Sequence, residues 1–179
     1  DFCLSRGLGD VYKRQIYKEL ILIQKNKKEF SMKVKDCMCG DVCCVKPETK
    51  INDVAKLMEQ NHIGCVPVCD NNNCLVGLIT DRDIILRTVA CDKDAKNTPA
   101  SEIMTCNVCT CNENDDVHTA ENKMAQNQIR RIPVVDNDKV IGILTLGDLA
   151  HYNEETGEDH FCNTVEDICG CGGQTKNNR

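Results

Sequence analysis

Two copies of the sequence Thr-x-x-Asp contain residue types that could bind a ligand, Thr80 with Asp83 and Thr145 with Asp148. A threonine before a helix and an acidic residue three positions later can form a capping box, in which each side chain binds the other residue's backbone N–H. Such a cap stabilises a helix by about 1 kcal/mol without any ligand. The carboxylate can also accept both hydrogens of a vicinal diol, and a helix N-terminus beside it favours phosphate. Both interpretations, helix cap and ligand contact, are open at this point.

The two Thr-x-x-Asp sequences belong to a longer internal repeat. Residues 63–70 are matched by residues 129–136 at an offset of 66, and residues 75–83 by residues 140–148 at an offset of 65. The one-residue change falls in a polar turn at 71–73, where a deletion costs little. The chain therefore contains two copies of one unit.

Each copy has the pattern of a β-α-β-β-α unit. Alternation and turn residues predict antiparallel hairpins from Val66–Cys69 with Leu75–Ile79, and from Ile132–Val135 with Val140–Leu144. Short strands are predicted at Val42–Val45 and Val108–Cys111, each followed by an amphipathic helix. A second helix follows Thr80, with Ile84, Ile85, Thr88 and Val89 expected to face inward, and another follows Thr145. A unit of about 55 residues cannot bury its sheet alone. We therefore expect a mixed α/β fold in which two units pack as a pseudo-symmetric pair.

The second copy has two adjacent cations, Arg130 and Arg131, directly before Ile132 and Pro133. Guanidinium groups are well suited to phosphate. The first copy has Gly64 and Cys65 at the matching positions, so two equivalent phosphate sites are not expected. Adjacent arginines before a strand are also common as solvated surface charges, and this alternative is open as well.

The repeat motifs resemble the CBS-domain family. The resemblance rests on Val34-Lys-Asp-Cys-Met38, Val66-Pro-Val-Cys-Asp70 and Gly77-Leu-Ile-Thr-Asp-Arg-Asp83, together with their counterparts in the second copy. It covers about residues 33–152 and is closest to the small stand-alone bacterial pairs called Bateman modules. The resemblance implies two facing sheets with clefts between the repeats that bind adenosine-type ligands such as AMP, ADP, ATP or S-adenosylmethionine. It also implies a homodimer of four repeats and an unidentified regulated partner protein.

By this resemblance, specific residues acquire ligand-binding roles. Asp83 and Asp148 would hold ribose with Thr80 and Thr145 beside them, and Arg130 or Arg131 would contact phosphate. Val66 with Pro67 and Ile132 with Pro133 would form the adenine slot, although the same residues suit ordinary core packing. The predicted function is a regulatory ligand sensor that is not an enzyme, has no catalytic residues and requires no cofactor or metal.

The 15 cysteines support a second hypothesis, a thiol- or metal-responsive sensor for zinc or iron. Cys37 and Cys69 stand where the other repeat has Ile103 and Val135, which indicates core positions. Cys109 and Cys111 share one face of a predicted strand, and Cys106 is expected in the preceding loop, so the three cysteines make a weak metal site. The tail adds Cys162, Cys169 and Cys171 with His160, another weak metal signal.

Composition limits the classes of partner. The formal charge is −6, which argues against nucleic acid and anionic membranes, and no apolar run reaches the length of a membrane helix. Without an export signal, the many thiols favour a cytoplasmic protein. No Ser-His-Asp set, Gly-rich phosphate loop or His-Glu-x-x-His sequence indicates an enzyme.

The chain divides into five predicted segments. Residues 1–31 carry seven Lys or Arg against four Asp or Glu, lack the later periodicity, and are interpreted as a non-native or disordered extension before Met32. Repeat 1 is placed at 33–90, a linker at 91–98, repeat 2 at 99–152, and a disordered acidic tail at 153–179.

Helix faces suggest how the pair dimerises. Few aromatics are available to cover the apolar helix faces internally, so these faces are expected to form the seam of a homodimer. The candidates are Ile51, Val54 and Met58 in repeat 1, and Val117, Met124 and Ile129 in repeat 2.

Overall fold

A computed structural model describes residues 32–156 and 160–169 of the 179-residue chain. The predicted extension at 1–31 lies outside these residues. Repeat 1 contains α1 (Val34–Cys37), α2 (Ile51–Asn61), β1 (Cys65–Cys69), β2 (Leu75–Thr80) and α3 (Asp81–Arg87). Repeat 2 contains β3 (Cys111–Asn112), α4 (Val117–Asn127), β4 (Arg131–Asp136), β5 (Lys139–Thr145) and α5 (Leu146–Thr156), and α6 (His160–Cys169) follows. The mixed α/β fold of two like units is confirmed. None of the described helices combines the length and apolar character that a membrane span requires.

The two hairpins form with the same register in both repeats. β1 pairs antiparallel with β2 so that Cys65 lies opposite Thr80, and β4 pairs with β5 so that Arg131 lies opposite Thr145. Both ladders shift register at the same place, after Val68 and after Val134, where the second strand has one extra residue, Val76 in β2 and Ile141 in β5. The register therefore places the first residue of each hairpin beside the threonine that begins the following helix.

The strands predicted before α2 and α4 are shorter than expected. Repeat 1 retains only a parallel bridge between Val45 and Val68, and repeat 2 forms β3, whose Cys111 pairs in parallel with Val134. The predicted strands Val42–Val45 and Val108–Cys111 are therefore wrong in extent. Their leading residues leave the ladder to line cavities, Val42 in one case and Val108 in another.

The apolar faces of α2 and α4 are buried within the chain. Ile51 and Val54 of α2, and Val117 and Met124 of α4, are at most 1% exposed, and Met58 is 7% exposed. Ile129 is half-buried. These residues were expected to form a dimer seam, and that expectation is wrong for the five buried residues, because they are already covered within the single chain.

Helix α3 turns only part of its apolar surface inward. Ile84 packs against the core and Thr88 is buried, whereas Ile85 is 58% exposed and Val89 is 66% exposed. Ile84 and Thr88 are four residues apart and share one face, but Ile85 lies about 100° further around the helix axis, and Val89 follows the end of α3 in a 3₁₀ turn, Val89–Cys91. The expectation that all four face inward is therefore wrong for Ile85 and Val89.

The leading segment of each repeat, residues 33–39 or 99–105, packs on the other repeat. The Val34 and Lys35 N–H groups donate to the carbonyls of Asp115 and Glu113, both at 3.0 Å, and Cys39 bridges Ile143 of β5. The matching contacts in the other direction join Ala100 to Thr49, Ser101 to Pro47 and Thr105 to Leu78. Each repeat therefore depends on a segment that belongs to its twin.

Close approach between sheet and leading segment requires two glycines. A Cβ atom built on Gly142 of β5 would lie 2.5 Å from Met38 Sδ and 3.1 Å from the Cys39 carbonyl oxygen. A Cβ atom on Gly77 of β2 would lie 2.5 Å from Met104 Sδ. The absence of a side chain at these strand positions is what lets each methionine lie against the sheet.

The C-terminal helix α6 occupies part of the tail that was expected to be disordered. It contacts α4 and α5, and its Thr164 and Ile168 are 4% and 6% exposed. Thr164 and Ile168 are four residues apart, so they form one buried stripe on α6. The expectation of disorder is therefore wrong for residues 160–169, and the rest of the tail after 169 lies outside the described residues.

We expect Gly142→Ala to destabilise the protein by about 1–3 kcal/mol, because the new methyl group overlaps Met38 and the backbone of Cys39. Gly77→Ala should cost less, since the three atoms nearest to its new methyl group all belong to the Met104 side chain and none to the backbone. The measurement is urea unfolding followed by circular dichroism.

The matched control is Gly40→Ala, because a Cβ atom at Gly40 has no neighbour within 4 Å. The control should unfold at the same urea concentration as the wild type. A Gly142→Ala variant as stable as the Gly40→Ala control would contradict the packing role of this glycine.

Candidate functional site

A cavity of about 420 Å³, here called cleft A, opens between the two repeats. Repeat 1 contributes residues 62–65 and the stretch Cys39 to Cys43, apart from Gly40. Repeat 2 contributes Arg130, Arg131, Ile143 and the start of α5, from Thr145 to Asp148. Cleft A therefore combines apolar side chains, two guanidinium groups and the Thr145–Asp148 motif.

A second cavity of about 430 Å³, here called cleft B, lies at the related position beside α3. Repeat 1 contributes Cys65, Leu78 and residues 80–82, and repeat 2 contributes residues 128–131. Asp83 is not part of this wall. The pseudo-symmetry of the fold thus gives two cavities of similar size with different side chains.

The Thr145–Asp148 motif forms the expected capping box at the start of α5. Asp148 Oδ2 accepts hydrogen bonds from the Thr145 N–H and hydroxyl, both at 2.8 Å, and the Asp148 N–H donates to Thr145 Oγ1 at 3.3 Å. Among the described residues, no hydrogen bond reaches the other carboxylate oxygen, Oδ1. Cap and ligand contact are therefore compatible in this motif, because one oxygen caps the helix and the second is available to cleft A.

The Thr80–Asp83 motif forms the same capping box, but the second carboxylate oxygen of its aspartate, Oδ1, has a partner. Asp83 Oδ2 accepts from the Thr80 N–H at 2.9 Å and from its hydroxyl at 2.7 Å. Asp83 Oδ1 forms an ion pair with Arg87 Nη2 at 3.3 Å, one helical turn later. The sequence position that corresponds to Arg87 in repeat 2 is Tyr152, which cannot form this pair. Both carboxylate oxygens of Asp83 therefore have partners in or next to α3, whereas among the described residues only Oδ2 of Asp148 has one.

Arg130 and Arg131 are brought to both cavities by the start of β4. The Arg130 carbonyl accepts the Leu146 N–H at 3.0 Å, and Arg131 lies opposite Thr145 in the ladder. Both residues are exposed, and within the part of the chain that the structure describes neither guanidinium forms an ion pair. The structure thus places two uncommitted positive charges beside Thr145 and Asp148.

The residues expected to hold adenine lie elsewhere. Val66 and Ile132 are completely buried, and Pro67 and Pro133 are buried in the same strands. None of the four belongs to the wall of cleft A or cleft B. The Pro67 carbonyl also accepts the Val45 N–H at 3.0 Å, so the strand edge beside this proline is paired. The arrangement favours the core-packing interpretation of these residues.

Several wall residues of cleft A were not foreseen from the sequence, namely Cys39, Asp41, Val42, Cys43 and Ile143. Val42 and Cys43 belong to a segment that the sequence predicts as a strand. Ile143 directly follows Gly142, the glycine on which Met38 packs. The usable signal was the glycine that recurs in the last strand of both repeats, since a strand glycine marks a close approach of another segment. It could have indicated docking of residues 33–39, and hence their place in the wall.

Buried thiols of this protein are poor nucleophiles. Cys65 belongs to the walls of both clefts, and its pKa is raised to about 11. Burial is the main cause; Arg131 lowers this pKa, and the Asp83 and Asp81 carboxylates contribute to raising it. Burial likewise raises the pKa of Cys69 and Cys111 to about 12. No described group of three or more His, Cys, Asp or Glu side chains could hold a metal ion, and Cys171 lies outside the described residues.

Comparison with protein families gives two matches in this chain. The sequence model of the CBS domain family matches residues 34–89 and 100–155. The CBS domain-containing protein YhcV of Bacillus subtilis is 44% identical over 117 residues, which cover 65% of this chain and 82% of YhcV. Hypoxic response protein 1 of Mycobacterium tuberculosis is 30% identical over 135 residues, covering 75% of this chain and 92% of that protein.

Solved structures with the same fold include ligand complexes. The CBS domain pair of protein MJ0100 with 5′-methylthioadenosine and S-adenosyl-L-methionine is 31% identical, covers 70% of this chain and 98% of its own, and has a TM-score of 0.64. CBSX2 in complex with AMP is 27% identical with the same coverage and a TM-score of 0.62. Hypoxic Response Protein I with two coordinated zinc ions is 29% identical, covers 68% and 98%, and has a TM-score of 0.64.

The raised pKa of Cys69 predicts a loss of stability in alkaline solution. The folded state keeps this thiol protonated to about pH 12, whereas an exposed thiol loses its proton near pH 9. The stabilisation is therefore complete below pH 9 and falls as the pH rises above it, by at most about 1.4 kcal/mol per pH unit. We expect Cys69→Val, which copies Val135 of repeat 2, to reduce this loss.

The measurement is the free energy of unfolding at pH 7.5, 9 and 10.5 for both proteins. Lysine and tyrosine titrations are common to both, so the difference between the two curves reports Cys69 together with Cys44, the thiol to which it is hydrogen-bonded. Parallel curves would show that Cys69 does not resist ionisation in the folded state.

Proposed function

Because this chain belongs to the CBS domain family and contains a tandem pair of these domains, we propose that it is a regulatory module that binds an adenosine-type ligand between them. One observation carries the proposal. Cleft A brings the available oxygen of Asp148 together with the uncommitted guanidinium groups of Arg130 and Arg131 in one cavity. The carboxylate oxygen can accept hydrogen bonds from a diol, and the two guanidinium groups beside it can donate hydrogen bonds to a phosphate. This combination suits a nucleotide better than a free base or a bare phosphate.

Each part of the ligand has a candidate partner in cleft A. Asp148 accepts hydrogen bonds from the ribose hydroxyls, with Thr145 holding its carboxylate in place. Arg130 and Arg131 neutralise the phosphate. The apolar side chains Val42, Ile63 and Ile143 line the remaining wall and take the place of the adenine slot first expected at Val66 and Ile132. A cavity of about 420 Å³ is within the range of small-molecule sites.

The ligand acts as a signal and not as a substrate in this proposal. The two family matches occupy most of the described chain, and the sequence lacks a nucleophile triad or a Gly-rich phosphate loop. The structural relatives named above are complexes with AMP and with S-adenosyl-L-methionine, which supports adenosine-type ligands as a class. Because cleft A has walls from both repeats, a bound ligand changes how the repeats are held together, which a partner protein can sense.

Asp148→Ala should weaken AMP or ATP binding by about 2–4 kcal/mol, since two hydrogen bonds to a charged acceptor are lost. Asp83→Ala should weaken binding much less, because its outer oxygen is already paired with Arg87. Isothermal titration calorimetry of the three proteins gives the dissociation constants.

Asp83→Ala is the matched control, since it removes the same two hydrogen bonds to the capping carboxylate, from the Thr80 N–H and hydroxyl, in the other repeat. Thermal unfolding of both variants separates lost helix stability from lost affinity. If both variants bind AMP and ATP as the wild type does, the motif is only a helix cap.

The protein is also proposed to be a homodimer, joined through repeat 1. Ile85, Leu86 and Val89 of repeat 1 are 58%, 49% and 66% exposed. In repeat 2 the related helices α4 and α5 are contacted by α6 of the same chain. Repeat 1 has an apolar helical face at the position that α6 covers in repeat 2, so a second copy of this face is its natural partner.

Light scattering at tens of micromolar should give about twice the chain mass of 20.0 kDa. The double variant Leu86→Glu/Val89→Glu should give the single mass, because four carboxylates at a symmetric seam repel each other. Asn72→Glu, in the exposed β1–β2 turn, is the control and should still give twice the mass. A wild-type monomer with and without nucleotide would rule out this dimer.

A further inference from the structure

Clefts A and B draw on the same pair of cations. Three residues, Cys65, Arg130 and Arg131, line both cavities. Of these, Cys65 is buried and its thiol stays protonated at neutral pH, so the two arginines supply the shared charge. Arg82 adds a guanidinium to cleft B alone, and His62 borders cleft A alone.

The boundary between the clefts is thin near Arg131. A Cβ atom on Gly64, which lines cleft A, would lie 3.4 Å from Arg131 Nη2 and 2.8 Å from Asp81 Oδ2. Asp81 lines cleft B, and its N–H donates to the Gly64 carbonyl at 3.3 Å. The guanidinium of Arg131, which lines both clefts, and the carboxylate of Asp81, which lines cleft B, therefore both lie close to the same glycine.

Repeat 1 has no equivalent of the arginine pair. The hairpin register makes Gly64 and Cys65 the counterparts of Arg130 and Arg131, because Cys65 lies opposite Thr80 as Arg131 lies opposite Thr145. A symmetric pair with arginines in both repeats would give each cleft its own cations. In this chain, the two clefts share one pair of arginines.

We propose that the two clefts compete for Arg130 and Arg131, so that one chain binds one phosphorylated ligand tightly and a second one at least tenfold more weakly. This inference rests on the proposed function, and it adds a rule for how the two sites communicate. Two phosphate groups on one guanidinium pair lie well within the screening length of about 8 Å at physiological salt, and they repel each other. A ligand without phosphate does not need the arginines, so it can occupy the second cleft beside a nucleotide.

The competition gives the module a response to ligand type. Cleft A is the stronger site for the nucleotide, because Asp148 offers its free oxygen there and Asp83 is not in the wall of cleft B. Once a phosphate holds Arg130 and Arg131 in cleft A, cleft B retains Arg82 and the carboxylate of Asp81. Cleft B then favours an uncharged or cationic nucleoside. The chain can therefore report a mixture of two ligands instead of the total amount of one.

The test is calorimetric titration of the full chain with ATP and with adenosine, at 50 mM and 500 mM NaCl. At low salt we expect one tight ATP site and a second site at least tenfold weaker, and this ratio should exceed the ratio of the two adenosine affinities at least tenfold. Both ligands share the ribose contact of Asp148, but only ATP competes for the arginines, so equal ratios would overturn the competition. A chain carrying one equivalent of ATP should still take up adenosine. High salt should bring the two ATP affinities closer together, because it screens the repulsion.

Variants of the arginines test the assignment. Arg131→Gln should weaken the tight ATP site at least tenfold and leave adenosine binding unchanged. Arg82→Gln, which removes a guanidinium from cleft B alone, is the matched control and should leave the tight site unchanged.

The failures of the two proposals are distinguishable. Two ATP molecules bound with equal affinity at low salt would overturn the competition and leave the proposed function standing. Failure of ATP, AMP and adenosine to bind at all would overturn the proposed function and the competition with it. Loss of adenosine binding in Arg131→Gln would overturn the assignment of this residue to phosphate.

Discussion

The contact between a methionine and a strand glycine holds the two repeats in their relative position. Met38 lies on Gly142 and Met104 on Gly77, and in each case the leading segment of one repeat continues along the hairpin of the other. A unit of this size buries too little surface to be stable alone, so the exchange supplies the missing core contacts. Because both clefts lie between the repeats, their walls exist only while these two contacts are made.

The two repeats have the same backbone arrangement at their clefts but different side chains. The capping hydrogen bonds recur with small differences in length, such as those that the Asp83 and Asp148 carboxylates accept from the threonine hydroxyls at 2.7 and 2.8 Å. The side chains around them diverge, since Arg87 engages one carboxylate and Arg131 stands where the other repeat has Cys65. Symmetry of the fold thus provides two cavities, and substitution at a few positions decides what each can hold.

Local patterns predicted the parts of this structure that depend on local forces. The hairpins follow from alternation and turn residues, and the Thr-x-x-Asp boxes from capping chemistry, so both were predictable. The walls of cleft A depend on residues 39–43, which reach repeat 2 only through a long-range exchange that no local pattern encodes. Exposure of Ile85 was missed because an apolar residue at a helix surface has the same local pattern as one in the core. Adenine was first assigned to Val66 for a similar reason, since core and pocket residues share their composition.

The exchange of leading segments also sets the order in which the chain can mature during synthesis. Residues 33–39 leave the ribosome before repeat 2, but their partners are Glu113, Asp115 and Ile143, roughly 80 to 100 positions later. The nascent chain must therefore keep this segment unpaired until most of repeat 2 has been translated. At about 5–20 residues per second, this wait lasts several seconds. Until Ile143 has been translated, the Met38 side chain is open to chaperones or to a neighbouring nascent chain. The face of β2 that carries Gly77 is open in the same way until its own partner, residue 105, has been translated.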